Sequence, residues 1–361
     1  MNNNIMTKIY VLALLLLILS RSCINTTTAL EESPLQDFEA VPEIKLNSIK
    51  ITLEHDSVLY DPRTINVFDS IAVFYDISGV AGFSMVNLLN GKLITRFAHI
   101  GDDENYDINT LSLSPIKGST KEFSIYEGAP PYRVFKYNID SLINSKTYSP
   151  ELVCQLPKEV VFETPLVESD SVILGNITFT KLDNKFFGIY NLRQKTVTTG
   201  IDVPKFSSRR YKQYYQDENI SWVKAVLGSN IGIRPNGREI ASFSKRGGLF
   251  QIISIENHKP KVLTEKLYYM PEFVINEISE NITKSMYTKN NKYGYNNITV
   301  TEDRIYALYN GKLTNTPGVE SLSSNLVLVY DWAGKPINKI LLDDEYYQIA
   351  IDPQQLSTSP N

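Results

Sequence analysis

Arginine and tyrosine cluster in one stretch of this chain. Residues 207–215, SSRRYKQYY, set Arg209, Arg210 and Lys212 among Tyr211, Tyr214 and Tyr215. A guanidinium fork pairs two N–H donors with one carboxylate, and a tyrosine face accepts a cation or a sugar ring. Arg209, Arg210, Tyr211, Tyr214 and Tyr215 are therefore the candidate ligand contacts, for a sugar or an acidic molecule. The plainer reading is a solvated loop whose rings rest on the structure beneath. Tyr268, Tyr269, Tyr287, Tyr293 and Tyr295 make a second aromatic connection open to the same two readings. Asp102, Asp103, Glu104 and Asp107 could offer oxygen ligands to calcium, but their spacing is not that of an EF-hand, and such loops are commonly just solvated. The three histidines, His55, His99 and His258, are scattered at strand ends and turns, which suits surface positions. No GxSxG elbow, P-loop, GxGxxG, HExxH or CxxC occurs. No catalytic residue, metal site or cofactor is assigned.

Only two cysteines occur, too few for a disulfide framework. Cys154, in ELVCQLP, has no basic neighbour to activate it and reads as an apolar strand residue. Cys23 closes the run Leu19-Ser20-Arg21-Ser22-Cys23, directly after an unbroken apolar stretch, Ile9–Leu19. That stretch has the length of a signal-peptide core and is too short to cross a bilayer. The ending resembles the lipobox of bacterial lipoproteins, whose cysteine is lipidated and becomes the mature N-terminus. Ser20 and Arg21 depart from that pattern, and an ordinary secretory signal is the alternative. The resemblance implies a membrane partner, held through a lipid anchor at Cys23, with the protein facing the periplasm or the cell surface. Residues 1–22 then form the signal and 23–42 a flexible tether, low in periodicity and rich in Thr, Glu and Pro. The fold occupies 43–353, and 354–361 is a polar tail.

The elements that must position these residues are strands. The chain of 361 residues is 42% hydrophobic and carries a net charge of −4, which argues against a nucleic-acid partner. In Asn325–Leu342, apolar residues alternate with period two on either side of Ala333-Gly334, a turn followed by Pro336 at a strand start. Comparable hairpins turn at Asn90-Gly91, through a longer loop near Leu142, at Arg193-Gln194 and at Asn257-His258. Short strands repeating in this way, with no helical stretches between them, indicate a β-propeller. Five units plus flanking pieces point to an all-β, six-bladed β-propeller with the N-terminal strand closing the last, incomplete blade. The closing pieces are Lys45–Leu53 and Tyr346–Asp352, and pairing the first strand with the last unit would leave no exposed edge.

Two segments carry a family resemblance. The C-terminal DRIYALYNGK with LVLVYDWAGKPINKILLDDEYYQIAID, and the earlier VNLLNGKLITRFAHIGDDENYD, resemble the closing region and first blade of TolB-like six-bladed propeller lipoproteins of bacteria. The acidic run after Gly101 replaces the Gly-Pro-Gly-Glu-like loop usual in that family. The resemblance brings no catalytic residues. It implies a non-catalytic binding or scaffold module in the cell envelope, for a protein or glycan partner. The alternative is a hydrolase or lyase acting on a glycan or lactone at the channel mouth. Four Asp-Ser-aliphatic triplets, beginning at Asp56, Asp69, Asp140 and Asp170, are similar to an O-glycosylation acceptor pattern of gut anaerobes, although Asp-Ser also simply favours turns.

Overall fold

The structure is a computed structural model that describes residues 33–48, 50–53, 59, 62–76, 81–99, 111–128, 130–145, 149–179, 184–205, 220–257, 259–279, 282–316 and 322–351. Five sheets of four or five strands follow one another along the chain as blades, with the first strand of each lining a common axis. The blades span 62–99, 111–155, 161–202, 229–267 and 295–346. A sixth sheet is a two-stranded hairpin, Phe273–Ser279 with Ile282–Tyr287. The hairpins expected from the sequence are present. Gly91 and Gly334 turn at φ of 69° and 80°, a left-handed region that costs glycine nothing, and Lys195 and Asn257 adopt positive φ at the third and fourth turns.

Large apolar side chains fill the spaces between neighbouring blades. Phe68, Phe97, Phe123 and Tyr137 join the first to the second, with Phe123 and Tyr137 stacked at 5.4 Å. Tyr126, Phe162 and Ile173 join the second to the third, and Leu174, Phe187, Ile240 and Ile253 the third to the fourth. Phe243 and Phe250 of the fourth blade meet Tyr295 and Tyr330 of the fifth.

The ring closes between the fifth blade and the first. Glu43–Leu46 adds to the outer edge of the fifth blade, parallel to Pro336–Tyr346, from Glu43↔Lys339 to Leu46↔Leu342. Ser48 then donates from its backbone N and its hydroxyl to Asp343, at 2.8 and 2.9 Å. The chain next passes the first blade so closely that a Cβ on Gly91 would fall 2.1 Å from the Thr52 carbonyl oxygen. On the inner side, Ile349 and Ile351 donate backbone N–H groups to the Asn297 and Thr299 side chains of the fifth blade. Both pieces expected to close the ring are found there. Among the described residues no ladder joins one to the other.

Among the described residues three short helices interrupt the strands, where the sequence pattern predicts none. Helix α1 (Pro34–Asp37) starts with proline at its first position, where no N–H is required, and Ser33 caps it. In α2 (Ile139–Asn144) the Asn138 side chain accepts from the Ser141 N–H at 3.0 Å. Helix α3 (Ile220–Val226) buries Val223 and Val226 against Phe273 of the hairpin. The composition of 23–42 suggests a tether, yet its described part is docked. Phe38 is fully buried, edge-on to Tyr330 at 5.0 Å, and Asp37 accepts from Lys266 and from the Tyr268 hydroxyl. One aromatic ring and one carboxylate suffice to fix the segment to the seam between the fourth and fifth blades.

Candidate functional site

The innermost strands enclose a channel of about 1440 Å³. Strand geometry explains its lining. Residues two apart point to the same face, so Thr64 with Asn66, Ser112 with Ser114, and Asn297 with Thr299 present short polar side chains as pairs. Several of these tie the ring together. Asn66 donates to the Leu113 carbonyl of the second blade at 3.3 Å. Asn230 donates to the Tyr295 carbonyl of the fifth at 2.9 Å. Close packing lets these bonds form. At Gly232 a Cβ would sit 2.9 Å from a Val300 methyl, so the fourth and fifth inner strands approach at a position where only hydrogen fits.

Thr64 Oγ1, Ser112 Oγ and Gln348 Oε1 in this wall have no hydrogen-bond partner among the described residues. All three residues line the channel, on the first blade, the second blade and the closing segment. These atoms are closed off from the open channel, and a hydroxyl or amide left unsatisfied in this way costs about 1–3 kcal/mol.

Charge is concentrated at the two ends. Where the inner strands begin, Glu163 accepts from Lys245 Nζ at 2.9 Å and from the Ser229 backbone N–H at 2.8 Å. Its carboxylate reaches across only because Gly228 leaves room, since a Cβ there would fall 2.5 Å from Glu163 Oε1. Where the inner strands end, Lys117 pairs with Glu168 at 3.0 Å, and Arg234 pairs with Glu302 at 3.1 Å while lying over Trp332. Trp332 is a packing residue, as its place beside the turn suggests, and its indole N–H donates to the Thr301 carbonyl.

Arg209, Arg210, Tyr211, Tyr214 and Tyr215 lie outside the described residues, as do Cys23, the acidic loop 102–107, His55, His258, Asp56-Ser57-Val58 and the tail 354–361. His99 ends a strand of the first blade. Of the second tyrosine group, Tyr268, Tyr269, Tyr293 and Tyr295 are buried. Asp69-Ser70 forms the turn between the first two strands of the first blade, Asp170-Ser171 the turn between Leu166–Ser169 and Val172–Phe179 of the third, and Asp140-Ser141 falls in α2. Cys154 is half-buried on a strand of the second blade, and burial pushes its thiol up to about 12. Among the described residues no cluster of three His, Cys, Asp or Glu could hold a metal ion, and no helix is long and apolar enough to cross a membrane.

A family model described as TolB-like 6-blade propeller-like matches residues 40–354. Among solved structures, a member of the DUF4221 family from Bacteroides vulgatus is similar at 10% identity, with a TM-score of 0.45, over 82% of this chain and 84% of that one. The β-propeller domain of Cps50 (Swd1) from Myceliophteria thermophila is similar at 7% identity, with a TM-score of 0.38, over 81% and 91%. No curated protein matches the chain.

Proposed function

The chain belongs to the TolB-like six-bladed propeller family, and from that premise we propose that it is a non-catalytic binding module of the cell envelope. It is held to a membrane by a lipid on Cys23 and takes an envelope protein or a glycan at its channel. The channel lining carries this reading. Short polar side chains of several blades converge on one volume of about 1440 Å³, with Asn66 and Asn230 bridging neighbouring blades and charged pairs, Lys117–Glu168 and Lys245–Glu163, at its ends. A rigid ring of blades supports such a surface without rearrangement, and loops at the channel ends extend it. Arg209, Arg210, Tyr211, Tyr214 and Tyr215, on the connection between the third and fourth blades, are further contacts in this proposal.

The test is cross-linking and affinity capture from membranes of cells making the full chain or its Cys23→Ala variant. One partner or glycan enriched with the full chain, and reduced without Cys23, is the expected result. No enrichment, together with turnover of a glycan panel by the purified protein, overturns the reading. Palmitate labelling that persists in Cys23→Ala overturns the anchor alone.

A further inference from the structure

We propose that Arg246 is the centre of a carboxylate-binding site on the rim of the channel, a site with its own chemistry that does not depend on the channel reading. Arg246 lies in the turn 245–248, between the second and third strands of the fourth blade. Backbone hydrogen bonds hold that turn, among them one from the Tyr268 N–H to the Gly248 carbonyl at 3.0 Å. Lys245 donates to the Gly228 carbonyl, Gly294 donates to the Lys245 carbonyl, and Gly248 donates to the Tyr269 carbonyl, each at 2.9 Å. A Cβ on Gly294 would lie 2.1 Å from the Gly247 carbonyl oxygen, so the turn and the segment leading to the fifth blade are in close backbone contact.

From this fixed turn the Arg246 guanidinium reaches two tyrosine rings, Tyr293 at 4.4 Å and Tyr287 at 5.3 Å. Each ring is held from elsewhere. Tyr293 is buried and its carbonyl accepts from the Tyr269 hydroxyl at 2.7 Å, while the Tyr287 hydroxyl donates to the Val226 carbonyl of α3 at 3.3 Å. A ring face offers a guanidinium no lone-pair acceptor, so these contacts leave its N–H donors to be satisfied elsewhere. Among the described residues Arg246 has neither an ion pair nor a hydrogen bond. Glu163, beside this turn, is already bound to Lys245 and to Ser229. Lys292 adds a second cation, with its Nζ 4.8 Å over the Tyr269 ring and no carboxylate on it among the described residues.

The missing component is therefore an anion. A guanidinium fork held against two rings matches two oxygens in one plane, which is the shape of a carboxylate. The ligand class is a small carboxylate-bearing molecule such as a sugar acid. Loss of the fork removes charge-assisted hydrogen bonds, each strong enough to weaken binding about tenfold or more.

The probe is glucuronate, with glucose as its neutral counterpart, titrated into the full chain while arginine side-chain Nε–H resonances are followed by NMR. The resonance missing from Arg246→Lys, a variant that keeps the charge, is expected to move with glucuronate and to stay still with glucose. Arg246→Gln and Arg246→Lys should each weaken glucuronate by about tenfold or more, whereas Ser112→Leu in the channel should leave it unchanged. The proposal is overturned if glucose moves the same resonance, or if glucuronate moves none. It is equally overturned if Arg246→Lys binds as the parent does while Ser112→Leu does not. The wild-type titration stands even where a variant fails to fold.

Discussion

Replacing Phe38 with alanine tests whether the residues just before the first strand belong to the folded unit. The side chain is fully buried among Phe243, Phe250 and Tyr330, and it meets Tyr330 edge-on at 5.0 Å. Removing a buried phenylalanine costs about 3–5 kcal/mol, made up of lost transfer energy and a cavity. The lower figure applies here, because 33–42 can detach from the seam instead of leaving a void. Detachment surrenders the Phe38 burial, the Asp37 contacts with Lys266 and Tyr268, the Val41 packing and the bond from the Lys339 N–H to the Pro42 carbonyl, while the ladders within the blades remain. The expected loss is thus about 3 kcal/mol, read as a shift of the urea midpoint at constant slope. Leu35→Ala, at a side chain 40% exposed on the same helix, is the control and should stay within about 0.5 kcal/mol. If Phe38→Ala also stays below about 1 kcal/mol, the segment does not stabilise the propeller, and the reasoning from its burial fails.

Asp37 adds a pH dependence to the same contact. Burial pushes its carboxyl up, but hydrogen bonds from Lys266 and Tyr268 outweigh this and hold it below the usual range. A depressed folded value means that its contribution is complete above the ordinary carboxylate range, near pH 4, and fades as the pH falls further. Urea midpoints of the parent and Asp37→Asn should accordingly differ at pH 6 and draw together as the pH falls below the ordinary carboxylate range. At the ring closure, Gly91→Ala should cost more than Gly118→Ala. Both glycines have positive φ, worth about 1 kcal/mol, but only at Gly91 does the new Cβ strike the Thr52 carbonyl; equal losses in thermal or urea unfolding would show that 51–53 does not lie against the first blade. Glu163→Gln strands Lys245 at a partly exposed site and should lower stability by about 1 kcal/mol, whereas an unchanged midpoint would mean that the pair contributes nothing to joining the third and fourth blades. Cys154, with its thiol pushed up to about 12 by burial, should react with a thiol reagent at pH 8 only after unfolding; rapid reaction of the folded chain would contradict that burial.

The hairpins were legible because their signals are local. Asn90-Gly91 and Ala333-Gly334 combine a turn residue at positive φ with period-two strands on each side. The docking of Phe38 was not legible, since one aromatic in an aperiodic segment looks the same whether it is solvated or buried. The polar pairs Thr64 with Asn66 and Asn297 with Thr299 show the right parity, but parity does not tell which face looks along an axis. Glu163 and Lys245 stand 82 residues apart and meet only because two blades are neighbours. For the Arg–Tyr chemistry, the sequence directs attention to 209–215. The same combination is assembled at Arg246, Tyr287 and Tyr293, from residues that no spacing rule connects.

The central claim is that the channel, and not the outer face of the blades, receives the partner. A photoactivatable phenylalanine analogue at Thr120, on the channel lining, and at Leu263, 46% exposed on an outer strand, separates the two in intact membranes. An adduct that forms from position 120 and not from 263 is the expected result. Adducts from 263 alone, or equally from both, would contradict a channel that binds.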